Sequence, residues 1–456
     1  MADPKVELIS HVVPDNLPAE IPVQSVQAEY TVRQFGAAGP DDPGYRRCVD
    51  WMHAVSHGFH EQRRTDDHVA KALASYKVDG REFTGVYVSG NMPQHALGAE
   101  VPVATYATMR KSLNVGLGRL VKAHLVTAVT VRGTHRRKGI LRGLITADLE
   151  GAKDEGLAIA ALTASEGSIY GRFGFGVATF ERSVAVDTGP RFRLKGEPTG
   201  RGRMEVSDPA ALLEVAPEVF RRLHQVTPGS VDRQEYYRLI ASGQLGRDGK
   251  PDAGIRTALH YDAAGAVDGY VSYRFKGWET KPFTMEIVDL IAATDAAYLD
   301  IWRFLGSLDL IDQVTWTEAP VDDPLTWALE DPRCVASSDV RDMLWLRVLD
   351  VKAALEARTL SASGKLVVEV TDALGLANGT WVVESDAGAP AVVEEASGQS
   401  PELTMDVADL ASIYVGAVSP VTLAAAGRIQ EHTAGSVFRA QQLFAVERPS
   451  RCVTHF

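Results

Sequence analysis

The fold turns on one stretch, read in four pieces: Val129-Thr130-Val131, then Arg136-Arg137-Lys138-Gly139, then Ser165-Glu166, then Tyr170-Gly171-Arg172-Phe173-Gly174-Phe175. The first piece ends a valine-rich alternating run, Arg119–Val131, that reads as a long strand. The second opens the clearest helix of the chain, Gly139–Gly156. There Ile140, Leu141, Leu144, Ile145 and Leu149 fall at helical spacing, and Gly156 stands where a C-terminal cap belongs. The third lies just past a short apolar strand, Leu157–Thr163, and the fourth begins with a tyrosine on a short helix. Strand, helix and strand in this order imply a βαβ unit with parallel neighbours.

The charge in the turn is misplaced for a free helix. Arg132, His135, Arg136, Arg137 and Lys138 sit before or at a helix N-terminus, which already carries about half a positive charge. A bound anion would reverse that penalty, and N–H groups around Gly139 could reach its oxygens because glycine lets the backbone approach. Taken alone, the turn also reads as a solvated basic loop. The end of the preceding strand can offer main-chain groups to an extended, amide-bearing ligand arm, which would add as a partial strand. Tyr170 carries a phenol with an ordinary pKa of about 10, so it keeps its proton at neutral pH and can donate it to a leaving thiolate. By itself it equally fits a surface tyrosine whose hydroxyl is satisfied by water.

Outward from this stretch the 456 residues fit about three domains, with 45% hydrophobic and 23% charged residues giving enough apolar material for large cores. The net charge of −12 argues against general nucleic-acid binding and favours cationic partners. Cys48, Cys334 and Cys452 are far apart and form no metal-ligand spacing, as in a reduced cytosolic protein. The first residues lack the order of a signal peptide, although secretion is not excluded by this, and no apolar run approaches the length of a membrane span. Residues 1–28 read as an arm, 29–195 as the first domain, 196–345 as the second and 346–456 as the third. The break between the first two falls in Thr188–Arg203, rich in Gly, Pro and cations. The second domain repeats strands and a helix, at Ile255–His260, Val267–Phe275, Met285–Ala292 and Ala296–Leu308, without a second glycine-punctuated basic turn. The third opens with a helix at Val351–Ala357 and should have its own apolar complement.

The motif Arg136-x-x-Gly139 followed by Tyr170-x-x-x-Gly174-Phe175 resembles the Gcn5-related N-acetyltransferase (GNAT) superfamily. Leu141 replaces the small residue that usually closes the turn. The longer strings, Thr134–Arg142 and Ala164–Gly174, together with Leu344–Val351 and Ala408–Gly416, resemble the enhanced intracellular survival (Eis) family over nearly the whole chain after the first 28 residues. The resemblance implies an α+β subunit of two tandem GNAT-like domains, the second degenerate, followed by a sterol carrier protein-like domain. It implies a homohexamer that transfers acetyl from acetyl-coenzyme A to amines of aminoglycosides or of protein lysines, with no metal. Carried over, Val129, Thr130 and Val131 would meet the pantetheine, and Arg137, Lys138, Gly139, Ile140, Leu141 and Arg142 the pyrophosphate. Ser165 and Glu166 would line the cofactor groove, and Tyr170 would be the general acid.

An amine is mostly ammonium at neutral pH, so a base is needed. The resemblance points to the free carboxylate at Phe456; its ordinary pKa of about 3.3–3.7 requires burial or a bridging water. His455 is a rival base, or a bystander lining the acceptor pocket. Trp51, His57 and Phe59, on the early helix, could form an aromatic acceptor wall, and equally core or interface. Two other readings stay open at this level: a lipid or sterol carrier centred on 346–456, and a regulator that binds acetyl-coenzyme A without catalysis.

Overall fold

The computed structural model describes residues 20–22, 29–196, 202–246, 249–279, 281–396 and 398–456. Of the expected arm, only Glu20–Pro22 lies among them; part of the expected break, 197–201, lies outside. The first stretch holds β1 (Glu20–Pro22), β2 (Tyr30–Gly36), α1 (Tyr45–Gly58), α2 (Asp66–Val78), β3 (Glu82–Val88), β4 (Ala104–Asn114), β5 (Leu120–Val131), α3 (Ile140–Asp154), β6 (Ile159–Leu162), α4 (Gly167–Tyr170) and β7 (Gly176–Val177). Next come β8 (Phe180–Asp187), β9 (Arg203–Ser207), α5 (Leu212–Val226), α6 (Tyr236–Ala241), β10 (Ile255–Tyr261), β11 (Val267–Phe275), β12 (Thr284–Ala292), α7 (Asp295–Gly306), β13 (Gln313–Pro320), α8 (Pro324–Ala328), β14 (Val335–Asp342) and β15 (Trp345–Val348). The rest comprises α9 (Val351–Glu356), β16 (Gly364–Thr371), β17 (Gly379–Ser385), β18 (Val392–Glu395), β19 (Leu403–Asp406), α10 (Val407–Ile413), α11 (Pro420–Ala425), β20 (Ile429–Glu431) and α12 (Ser436–Leu443).

The strands form three sheets, ordered β1-β2-β3-β4-β5-β6-β15-β7, β14-β8-β13-β12-β11-β10-β9 and β18-β17-β16-β19-β20. The expected βαβ unit is present: β5 and β6 are parallel neighbours joined through α3. A second, β12-α7-β13, stands in the same place in the second sheet. The fold is α+β: two mixed sheets, each carrying one such βαβ unit, followed by a smaller third sheet with its own helices.

Sheet membership does not follow the linear order, and the divisions expected near residues 195 and 345 cut across it. Phe180–Asp187, assigned by position to the first domain, joins the second sheet between β14 and β13. Trp345–Val348, expected to open the third domain, enters the first sheet and pairs with both β6 and β7. All four of its residues are buried, which suits a strand with neighbours on both edges. The two sheets thus exchange strands.

The third unit differs from expectation in its core. Its buried Leu366, Met405, Leu410 and Ile413 belong to one apolar cluster with Met109, Leu125, Ile159 and Leu346 of the first sheet. An ion pair seals the same contact: Arg347 of β15 reaches Asp372, just past β16, at 2.6 Å, with both side chains essentially inaccessible. Asp372 also accepts the N–H groups of Leu374 and Ala377, so its charge is fully committed.

Candidate active site

The site begins where two parallel strands separate. β5 runs to Val131, yet it pairs with β6 only from His124–Val126 to Ala160–Leu162. Past that point the backbone of β5 kinks: Ala128 has φ +52°, and the β4 register slips between Thr105 and Ala107. The Thr105 hydroxyl bonds the Ala128 carbonyl at 2.8 Å, fixing the bulge. Val129–Val131 therefore keep β4 on one side, through Thr105–Thr130 and Ala104–Val131, and have no strand partner on the other among the described residues. That edge is open to hydrogen bonds from a linear amide-bearing arm.

The basic turn follows directly. Arg137 and Gly139 both have left-handed backbone, φ +63° and +78°. Gly139 is the N-cap of α3 and no side chain caps the helix, so the first-turn N–H groups have no partner of their own. Arg136, Arg137, Lys138 and Arg142 are exposed around it, Ile140 and Leu141 half-buried. Lys138 lies 3.6 Å from the Glu29 carboxylate and over the Tyr30 ring. Uncapped N–H groups, left-handed backbone and converging cations are the donor set a pyrophosphate requires. The second unit is different at the matching place. There Thr294 caps α7 by accepting from the Ala297 N–H, and Asp295 fills the first turn with negative charge, so no anion site is left.

Beyond β6, Ser165 and Glu166 are exposed and Glu166 is the N-cap of α4, which carries Tyr170. Tyr170 is only 6% exposed, and its ring meets Phe175 edge-on. Burial, assisted by the charge of Glu166, pushes its pKa up to about 12. The glycines after it have a steric cause. A Cβ on Gly174 would lie 2.7 Å from Val407, and one on Gly176 1.8 Å from the Ala408 carbonyl oxygen, so α10 of the third unit rests on this backbone.

The last residues arrive at the same strand end. The Thr163 hydroxyl donates to the Phe456 main-chain oxygen at 2.7 Å and accepts from its N–H at 3.3 Å. His455 takes a bond from its N–H to the Tyr237 hydroxyl at 2.6 Å, and its imidazole faces Glu181 at 3.3 Å and Glu318 at 3.9 Å. Burial opposes charge on His455, but the Glu181 pair outweighs it and holds its pKa above the usual value. The two carboxylates favour the charged imidazole, so this geometry suits His455 to an ion-pairing role on the tail.

The acceptor-side expectations divide. Trp51 is not on a cleft wall: it is 1% exposed, stacked on Phe83 at 4.3 Å, with its indole N–H on the Thr84 carbonyl. Phe59 is exposed at the end of α1. His57 is exposed and lines a cavity of about 440 Å³ between α1, the 96–103 loop and Thr130. Three carboxylates, Asp50, Glu61 and Glu100, and three guanidinia, Arg46, Arg63 and Arg132, balance there. Sequence reasoning missed Thr163, Glu181, Tyr237 and Glu318. Their contacts with the tail span more than 130 positions and leave no local signal.

A parallel splayed strand pair, an uncapped basic helix N-terminus and a buried tyrosine past the second strand define a GNAT acyltransferase. Two segments match acetyltransferase (GNAT) domain models, residues 49–178 and 229–348, and residues 351–452 match a sterol carrier protein domain. The chain is 35% identical over 430 residues to an N-acetyltransferase of Streptomyces avermitilis, covering 91% of this chain and 99% of that one. It is 32% identical to N-acetyltransferase Eis of Mycobacterium tuberculosis over 336 residues, 72% of this chain and 79% of the relative. The crystal structure of Eis1 from Mycobacterium abscessus superposes with a TM-score of 0.69 at 28% identity, over 82% of this chain and 90% of that one. The chain belongs to the Eis family of N-acetyltransferases, and its GNAT domains imply acetyl-coenzyme A as co-substrate.

Proposed function

We propose that this enzyme acetylates primary amines of aminoglycoside-like polyamines, and lysine side chains, by direct transfer in the first GNAT unit. What supports the reading is that Tyr170 shares an apolar cluster with Val129, Val131 and Ile140, beside the open edge of β5 and the uncapped turn at Gly139, while Thr163, the residue that follows β6, holds the main chain of Phe456. Acetyl-coenzyme A supplies the acetyl thioester. Val129, Thr130 and Val131 take its amide-bearing arm, Arg137 to Arg142 its pyrophosphate, and Ser165 and Glu166 border the groove. The Phe456 carboxylate removes a proton from the acceptor ammonium, directly or through a water, and the free amine attacks the thioester carbonyl. As the carbon–sulfur bond breaks, Tyr170 donates a hydrogen bond, and finally its proton, to the sulfur; the proton that the acetylated nitrogen sheds, passed on through water, restores the phenol.

The assembly proposed is a homohexamer, and the compartment a reducing, cytoplasmic one, in keeping with three unpaired buried cysteines. Among the described residues, no helix is long and apolar enough to cross a membrane. The test is thiol release from acetyl-coenzyme A against a panel of kanamycin-like amines and lysine peptides. Release that depends on polyamine or lysine supports the reading. Release with neither, but with another acceptor class, overturns the acceptor assignment.

A further inference from the structure

The second GNAT unit keeps the fold and lacks the anion turn, so it poses a question of purpose. Its contacts with the end of the chain are dense. The N–H of Arg451 bonds the Pro228 carbonyl at 2.8 Å. Val453 is 4% exposed and sits in an apolar cluster with Leu212, Phe220, Leu223 and Tyr270, while Arg233 reaches its carbonyl at 3.3 Å. The fully buried Thr454 donates its hydroxyl to the Val231 carbonyl at 2.8 Å. The Tyr237 hydroxyl accepts the His455 N–H at 2.6 Å and lies 3.3 Å from the His455 carbonyl. Glu181, on β8 of the second sheet, faces the His455 imidazole. Then the chain passes to the first unit, where Thr163 holds Phe456.

We infer that the second unit acts as a clamp that positions the tail: Val231, Arg233, Tyr237 and Glu181 fix residues 453–455 so that Phe456 projects into the first unit's site. The assignment rests on the reading of Phe456 as the base, and extends it to residues that never touch substrate. The clamp is rigid for a physical reason. Arg233 is itself locked by two bonds to Asp289, at 2.7 and 2.9 Å, and lies over the Tyr237 ring. Tyr237 thereby presents its hydroxyl to the backbone with little freedom to turn away. A free chain end frays unless tied down, and misplacing a reacting group by about 1 Å costs about 100-fold in rate.

Two measurements on the full-length enzyme separate the clamp from the base. Carboxypeptidase release of Phe456 and His455 reads the hold on the tail without any catalysis. Steady-state kcat and KM for acetyl-coenzyme A read the consequence. In Tyr237→Phe the tail is released about tenfold faster, the loss of one buried hydrogen-bonding group. The same variant has kcat about 10- to 100-fold lower with KM unchanged. In a chain lacking Phe456, Tyr237→Phe produces no further loss. Glu181→Gln, a milder change, moves both readouts in the same direction and serves if Tyr237→Phe does not fold. Unchanged release rates in both variants overturn the clamp. Faster release with wild-type kcat leaves the clamp standing and overturns the role of Phe456. Additive losses in the shortened chain overturn the claim that Tyr237 acts through the tail.

Discussion

Replacing Tyr170 with phenylalanine removes one hydroxyl from a site that is 6% exposed and leaves the ring on Phe175. The size of the effect follows from where burial has put the phenol. Its pKa is pushed up to about 12, whereas an ordinary thiol titrates at about 8.5. A gap of about 3.5 units, at about 1.4 kcal/mol each, makes complete proton transfer to a free thiolate unfavourable by about 5 kcal/mol. In the proposed mechanism the hydroxyl then works mainly as a hydrogen-bond donor to charge developing on sulfur, with the proton moving late. A hydrogen bond to a charged group is worth about 1.5–3 kcal/mol. Tyr170→Phe should accordingly lower kcat by about 10- to 150-fold, at the low end of the range for general acids. The assay is thiol release at saturating acetyl-coenzyme A between pH 6 and 10.5. Ionisation of a phenol that titrates at about 12 lies beyond that window, so wild-type kcat shows no alkaline fall caused by Tyr170. A wild-type kcat in the variant refutes the acid assignment. An alkaline loss centred near pH 10 in the wild type and missing from Tyr170→Phe refutes the shifted pKa.

Arg137→Glu reverses a charge at the uncapped end of α3; calorimetry should show acetyl-coenzyme A affinity reduced by about tenfold or more, with the thermal midpoint little changed. Gly176→Ala drives a methyl to within 1.8 Å of the Ala408 carbonyl oxygen and should destabilise by about 3 kcal/mol or more in denaturant titrations. Gly171→Ala meets nothing within 4 Å and is its control, expected within about 0.5 kcal/mol. Asp372→Ala strands the buried Arg347 guanidinium and should cost about 3–5 kcal/mol by the same measurement. The His455–Glu181 pair gives a pH signature, with Glu318 and Arg341 as the other charged neighbours. His455 has a raised pKa, so its contribution to stability is complete below about pH 6.5 and is lost as pH rises through the raised value. Glu181 has a lowered pKa, set by burial against it and the His455 and Arg341 bonds for it; its contribution is complete above about pH 4.5 and lost as pH falls through the lowered value. Urea midpoints for the wild type and Glu181→Gln should diverge most in the window between, and coincident pH profiles would count against the pair.

What could be read from the residues was local and periodic. The helix at Ile140–Asp154, the parallel pair around it and the glycine turn all follow from spacing within some 40 positions. Trp51 shows how a functional expectation can override a pattern that was already visible. Cys48, Trp51, Met52 and Val55 fall at i, i+3, i+4 and i+7, so Trp51 belongs on the buried face of α1. Gly174 and Gly176 were legible as a motif, but the cause, a helix more than 200 positions away, was not. The strand exchange left no trace in composition, because Trp345–Val348 would be a good buried strand in either sheet. The tail's partners were hidden for the same reason: hydrogen bonds of Thr163 and Tyr237 to distant main chain depend on the fold and on no pattern in the sequence.

The exchanged strand has a consequence for synthesis. β6 acquires its neighbour β15 only when Trp345 has been made, about 180 residues after Leu162. At 5–20 residues per second this leaves a sheet edge uncovered on the ribosome for about 10–40 s. During that interval Ile159–Leu162, wholly apolar and buried in the finished protein, is a template for pairing with any other strand nearby. Slow codons downstream of β6 should lengthen the interval and lower soluble yield, and a chaperone that shields nascent edges should restore it. A first unit expressed alone keeps that edge bare permanently, so the catalytic half of this enzyme is not a separable part.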